Sequence, residues 1–343
     1  MSFDTTLLLR HLRRVCLAAG LALAPGLAPA EEVVTLRFAS FPGPTNFINT
    51  GMLMPWFEKL EAESGGRLKV EFITGGAAAA PAEVFDSVEA GLIDMGWSIT
   101  SYNAGRFPAA SVTELPLLAN GSTESSAAIA SLYDQGLIGG FDNVVVLGIA
   151  TADIARLHHA GTISGLEDLR GAKVRAAGNV LSQMVSEIGG IPVGMPAPAM
   201  AEALAKNVVD AAAADWFAVE GFSLLDVTRT HIDVSLGTTP IYVVMNRQVH
   251  DGLPPDLRKV FDDNPPSALA AFWGAALEAE SKRVRKVVAA TPGHVIITPG
   301  DAEMAVWNAA AQRVIDNWVA AQPNGAQVLD AYRAALDAHR AGN

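Results

Sequence analysis

The apolar positions alternate along this chain between short strand-like runs and stretches with helical spacing. Residues 33–39 have strand composition, and Ser40-Phe41-Pro42-Gly43-Pro44 breaks the run. An amphipathic helical pattern follows over 47–63 and stops at Ser64-Gly65-Gly66. Residues 68–74 read as a second strand, 81–90 as a helix with proline near its first turn, and 94–98 as a third strand. A β-α-β-α-β series predicts a parallel sheet with right-handed crossovers.

Residues 100–120 are irregular. A helix over 123–135 and an apolar strand over 144–150 come next, and near Thr151 the chain is expected to cross to a second lobe. There the pattern recurs: strand 173–176, helix 180–188, strand 191–195, helix 200–205, strand 209–213. Strand 239–245 is expected to return to the first lobe. From Pro254 the pattern is mostly helical: 255–264, a long helix over 267–290, strand 295–297, and helices from 301 onward. The chain carries no 20–50-residue repeat and no long linker. Several crossing segments must therefore join the lobes, an arrangement suited to hinge closure.

Composition changes this picture at the N-terminus. Arg10, Arg13 and Arg14 precede an apolar stretch over 15–27 and Ala28-Pro29-Ala30, the pattern of a cleaved secretory signal over 1–30. Beyond it no run approaches the roughly 20 apolar residues of a membrane span. The whole chain carries −12; removing three Arg and one Asp with the signal leaves −14. Cys16, the one cysteine, goes with the signal, so the mature chain is expected to have no disulfide, thiol nucleophile or cysteine metal site. Such an acidic chain does not suit nucleic acid. It also repels small anions at long range, which makes single cations inside a cleft informative.

One such cation stands in Gly171-Ala-Lys-Val-Arg175-Ala-Ala-Gly-Asn179. Arg175 ends a strand just before a helix N-terminus, where ligands collect in open α/β sheets and where an anion is favoured. A surface ion pair is the alternative reading. Arg156, after the crossover, is either a second cation for a ligand or a surface residue. Asn179 either caps its own helix or touches a ligand. Phe41 and Trp97 end the first and third strands, Tyr102 lies just beyond, and Trp216 follows the strand at 209–214. These four aromatics fit a pocket wall or ordinary core packing. Asn246 is read either as a site or hinge residue or as a turn cap. His158 and His159, adjacent on a strand, point oppositely and share no metal. No nucleophile elbow, triad order or phosphate loop is present, which argues against an exported enzyme.

An ordered set of short motifs carries a family resemblance. It comprises Leu36-Arg-Phe-Ala39 before a Pro/Gly break, Glu63-Ser-Gly-Gly-Arg-Leu-Lys-Val70, Val88-Glu-Ala-Gly-Leu-Ile-Asp-Met95, Phe107-Pro108 and Glu114-Leu-Pro116. It continues through Ile163-Ser-Gly-Leu-Glu-Asp-Leu-Arg-Gly-Ala-Lys-Val-Arg175, Met195-Pro196, Val208-Val-Asp210, and Val243-Val-Met-Asn246 before Leu253-Pro254. Together these resemble the DctP-like solute-binding proteins of tripartite ATP-independent periplasmic (TRAP) transporters. The resemblance implies an α/β bilobal periplasmic-binding-protein fold: two mixed or parallel sheets flanked by helices, hinge strands and a long bracing helix. The expected division is lobe 1 over 31–151 with about 243–285, lobe 2 over 152–242 with about 286–320, and a helical tail over 321–343.

The resemblance also implies a periplasmic receptor that closes on a small organic acid and passes it to TRAP membrane permease subunits; a monomer without catalytic activity or cofactor is expected. Arg175 is implied to pair with the ligand carboxylate. Asp215-Trp216 resembles an acidic–Trp pair whose acidic residue, in some members, helps hold a cation; no metal is expected here. Two departures stand out. Pro198, Ala199 and Ala201 replace a common S-E-x-Y pattern, and Ala211 replaces a glycine. The alanines and the wall aromatics lean toward a monocarboxylate with an apolar or aromatic part. An exported enzyme and a binding protein for an ATP-driven importer are the competing readings.

Overall fold

The computed structural model describes residues 32–342; the signal read over 1–30 lies outside them. Strands β1 (Val34–Ala39), β2 (Leu68–Ile73) and β3 (Met95–Ile99) form where the apolar runs predict them and pair in parallel. The helix expected over 47–63 opens instead with a wide π-wound segment, Ile48–Leu53, before the α-helix α1 (Met54–Glu63). Gly51 sits under the Phe47 ring, where a Cβ would come within 2.3 Å of it, so the backbone presses on its own side chain at this turn. Helices α2 (Val84–Glu89) and α3 (Ser122–Asp134) follow.

The strand expected over 144–150 is longer: β4 runs from Val144 to Ile154, and β5 (Arg156–His159) begins one residue later. Ala155 alone therefore separates a strand of the first sheet from a strand of the second. The second sheet takes β6 (Lys173–Ala176), β7 (Ile191–Gly194) and β8 (Ala211–Ala214), with α4 (Asn179–Glu187) and α5 (Met200–Ala205) between them. After α6 (Trp216–Gly221) comes β9 (Thr230–Ile232), which the apolar pattern missed because Thr and His occupy it. Strand β10 (Thr238–Asn246) returns to the first sheet. Helices α7 (Arg247–Gly252), α8 (Pro255–Asp262) and α9 (Pro266–Ala290) follow, then β11 (Val295–Ile297), α10 (Asp301–Ala321) and α11 (Gly325–Gly342).

The first sheet has the order β2-β1-β3-β10-β4, the second β11-β9-β5-β8-β6-β7. Both are mixed: β10 runs antiparallel to β3 and β4, and β5 antiparallel to β8 and β9. Helices flank both, which is the bilobal α/β architecture. One large apolar cluster runs through both lobes, and a smaller one lies beside the second sheet. Phe38, Phe57 and Phe72 meet edge to face beside β1, while Met200, Leu204, Val209 and Val219 pack by the second sheet. Helix α9, 25 residues and so about 37 Å long, serves both cores. Its Leu269, Trp273 and Leu277 join the first cluster, and Val284 and Val288 the second. Among the described residues no helix is long and apolar enough to cross a membrane.

Candidate functional site

Between the sheets lies a small, mostly apolar cavity with about 60 Å³ open to the centre of a water-sized molecule. A single water needs about 10–15 Å³ by such a measure, so the space suits a few waters or one small ring. Its wall draws on both lobes. Phe41 and Tyr102 lie just past β1 and β3 of the first sheet and Trp97 lies within β3; Trp273 comes from α9 and Phe217 from α6. Phe41 lies 4.5 Å from Trp97 and 6.2 Å from Tyr102, centroid to centroid, and Trp97 5.3 Å from Trp273. Ala39 of β1 pairs with Gly96 of the parallel strand β3, which sets Phe41, just past the end of β1, beside Trp97 within β3.

Arg175, on β6, is the cation of this wall and is only 3% exposed. Its Nε donates to the Met195 carbonyl at 2.9 Å, one terminal nitrogen to the Ala213 carbonyl at 3.0 Å, and the other to the Tyr102 hydroxyl at 3.3 Å. A guanidinium has five N–H donors, so two remain. None of its hydrogen-bond partners is a carboxylate. The Tyr102 oxygen accepts from Arg175 and also from the Ala197 amide at 2.8 Å, which leaves its own hydrogen to donate. Burial pushes the Tyr102 hydroxyl above its ordinary pKa, so it stays protonated. Arg175 and Tyr102 therefore present three uncommitted donors on a buried positive charge, the complement of a carboxylate.

Asp215 completes the wall. It caps α6, its Oδ1 accepting from the Ala218 amide at 2.9 Å, and its Oδ2 accepts from the Asp153 amide at 3.1 Å. Burial, and then the neighbouring Asp153 charge, push its pKa up to about 7. Both Asp215 oxygens are thus engaged by main-chain N–H groups. Among the described residues no group of three or more His, Cys, Asp or Glu is placed to hold a metal ion. Asp215 is the one carboxylate among the described residues that line this cavity.

Of the nine residues singled out in the sequence, Arg175, Phe41, Trp97, Tyr102 and Asp215 line the cavity. Four do not. Arg156 is committed to Asp233, Nε to Oδ1 at 2.6 Å, and Asp233 in turn to Arg285 at 2.8 Å. Trp216 starts α6 but turns its ring away, 5.0 Å from His158 and 5.3 Å from His231. Asn246 is the cap of α7, accepting from the Gln248 and Val249 amides and donating to the Val88 carbonyl. Asn179 is exposed and lines a separate hollow with Ser101, Glu114 and Trp318; the cap position of α4 falls on Gly178 instead.

The sequence reading missed Phe217, Phe222, Trp273, Ala197 and Met200. Trp273 and Phe217 sit in helices, where apolar periodicity signals only burial. Ala197 lies just before, and Met200 within, the stretch where Pro198, Ala199 and Ala201 depart from S-E-x-Y, so that signal was available.

The sequence profile of the bacterial extracellular solute-binding proteins, family 7 (DctP), matches residues 38–322. The chain belongs to this family, that of the TRAP solute-binding proteins. A solved TRAP solute-binding protein from a marine metagenome, specific for aromatic acid ligands and bound to 3-hydroxybenzoate, is 29% identical. It superposes with a TM-score of 0.85, covering 89% of this chain and 98% of its own. One from Rhodoferax ferrireducens T118, bound to copurified benzoate, is 30% identical with a TM-score of 0.85, covering 90% of this chain and 99% of its own. Outer membrane transporter protein TsaT of Comamonas testosteroni is 26% identical over 339 residues, 96% of this chain and 99% of that protein.

Proposed function

We propose that this chain is a periplasmic receptor that captures a small aromatic monocarboxylate by lobe closure and delivers it to a TRAP permease. The observation that carries the reading is the Arg175–Tyr102 donor set: a buried guanidinium with spare N–H groups and no carboxylate partner, opening on a void walled by aromatic rings. Arg175 and Tyr102 bind the carboxylate. Phe41, Trp97, Phe217 and Trp273 hold the ring by stacking and edge contacts. The two relatives of about 30% identity that hold benzoate-type acids support this class of ligand.

Closure follows from the same contacts. The Tyr102–Arg175 and Tyr102–Ala197 bonds cross between the lobes, as does the bond from Asn46 to the Gly221 carbonyl at 2.7 Å. A buried Arg without an anion is costly, so the closed form gains most when a carboxylate arrives, and ligand shifts the open–closed balance. The test is a thermal-shift and calorimetric panel on the chain from Glu31 onward, with benzoate, hydroxybenzoates, mandelate, succinate, glucuronate and alanine. A ligand at a hundredfold excess over its Kd adds about 2.7 kcal/mol. Stabilisation by benzoate-type acids above all others is expected. Stabilisation by a sugar acid or an amino acid alone overturns the aromatic reading.

A further inference from the structure

A charge count inside the cavity carries one more step, which rests on the function proposed above. Asp215 and Asp153 are 7% and 9% exposed, and one main-chain hydrogen bond links them, Asp153 N–H to Asp215 Oδ2. Asp153 in turn accepts from the Ser122 amide at 3.0 Å. Neither carboxyl has a salt bridge among the described residues. The charged groups facing the pair come from three elements. Arg175 on β6 faces Asp215 across the cavity wall. Arg156 on β5 faces Asp153 but is paired with Asp233. On α9, Glu278 and Lys282 both face Asp153 and are paired with each other. Ser281, from the same helix, adds a neutral hydroxyl beside Asp153. The uncommitted cation is therefore Arg175.

With the cavity empty, the Arg175 guanidinium faces the Asp215 carboxyl, and Asp153 stands one hydrogen bond behind it. With an organic anion on Arg175, the same guanidinium faces two carboxylates, with the Asp153 charge still beside Asp215. In a water-excluded site that surplus is expensive, and a carboxyl beside like charges gives way by binding a proton. We infer that the Asp153–Asp215 pair takes up a proton from solvent when a carboxylate ligand binds, so that Asp215 meets the ligand as a neutral hydrogen-bond donor. The titration belongs to the pair as a unit. The raised pKa of Asp215, about 7 before any ligand arrives, lies where a further negative neighbour makes uptake complete near pH 8.

Calorimetry tests this. Benzoate, or the tightest acid of the panel, is titrated into the protein at pH 8 in phosphate and in Tris, whose ionisation enthalpies differ. The slope of observed heat against buffer enthalpy is expected to report uptake of about one proton at pH 8, falling toward zero at pH 6, where the pair is already protonated. Affinity should then weaken up to about tenfold per pH unit above pH 8. Asp215→Asn should abolish the slope and flatten the pH profile, and Asp153→Asn, outside the cavity wall, should reduce the slope. Tight binding with no proton uptake at pH 8 overturns the inference, as does a slope that survives both variants. Affinity that rises with sodium or calcium at fixed ionic strength, without proton uptake, also overturns it and assigns the neutralising role to a cation. Failure of every aromatic acid to bind strikes the functional reading instead.

Discussion

Two buried polar clusters hang on consecutive carbonyls of β8, and they have opposite characters. The Ala213 carbonyl accepts from Arg175, in the cluster that borders the cavity. The Ala214 carbonyl accepts from His158 Nε2 at 3.0 Å, in a row of imidazoles behind it. His158 and His231 stand directly opposite each other on β5 and β9, joined Nδ1 to Nδ1 at 2.8 Å. His231 Nε2 meets His294 Nδ1 at 3.0 Å. Giving His158 Nε2 the hydrogen that the Ala214 carbonyl requires makes its Nδ1 an acceptor. His231 must then donate through Nδ1 and accept through Nε2, and His294 must donate. Every ring nitrogen of the two inner histidines thereby has a partner with all three rings neutral. Burial holds them so: His158 is pushed down to about 4 and His231 to about 2.

The difference lies in what is left over. The histidine row spends the nitrogens of its two inner rings on one another, on His294 and on the Ala214 carbonyl, and so ties strands β8, β5 and β9 together. The Arg175 cluster keeps three donors in hand and borders the cavity. Burial of polar groups alone therefore does not mark a site; spare capacity beside a cavity does.

The sharpest way to break this comparison is Arg175→Met. It should lower aromatic-acid affinity by at least about 100-fold, since two charge-assisted bonds at about 1.5–3 kcal/mol each are lost, while circular dichroism keeps the native spectrum. Undiminished affinity in calorimetry would remove Arg175 from the site. His158→Ala should do the reverse. Cavity formation and unpaired neighbours cost about 2–4 kcal/mol, a fall in Tm of several degrees, with affinity changed less than about threefold. The pH dependence gives a second readout. A histidine neutral in the folded state loses stability as pH falls from about 6.5, its unfolded value, toward about 4. The variant's thermal stability should therefore decline less over that interval than the wild type's. Tyr102→Phe makes the smallest change. It removes one donor and leaves the ring, so affinity should fall about 5–15-fold, for about 1–1.5 kcal/mol; an unchanged Kd would make the hydroxyl a lobe contact only.

Much of the site was legible because strand ends announce themselves. Phe41 follows a strand and precedes Pro42-Gly43, Trp97 lies two residues before the end of another, and Arg175 stands before Gly178, so the backbone signals that stop each strand also locate its mouth. Residues whose fate depends on a distant partner were not legible. Arg156 could serve a ligand or an aspartate equally well by sequence; Asp233, 77 positions away, decides it. Trp216 neighbours the wall residues Asp215 and Phe217 in sequence, yet helical rotation turns it to the histidines. The histidine row joins residues from positions 158, 231 and 294, a union that no local pattern encodes.

The sequence by itself determined the alternation of strands and helices, the two-lobed α/β class and the family, because periodicity, turn residues and ordered motifs are local. Tertiary structure alone decided which polar groups were paired. Hydrogen-bond capacity is exhausted or left open only when the far partner is in place, and Arg175, unlike Arg156, hydrogen-bonds to no carboxylate.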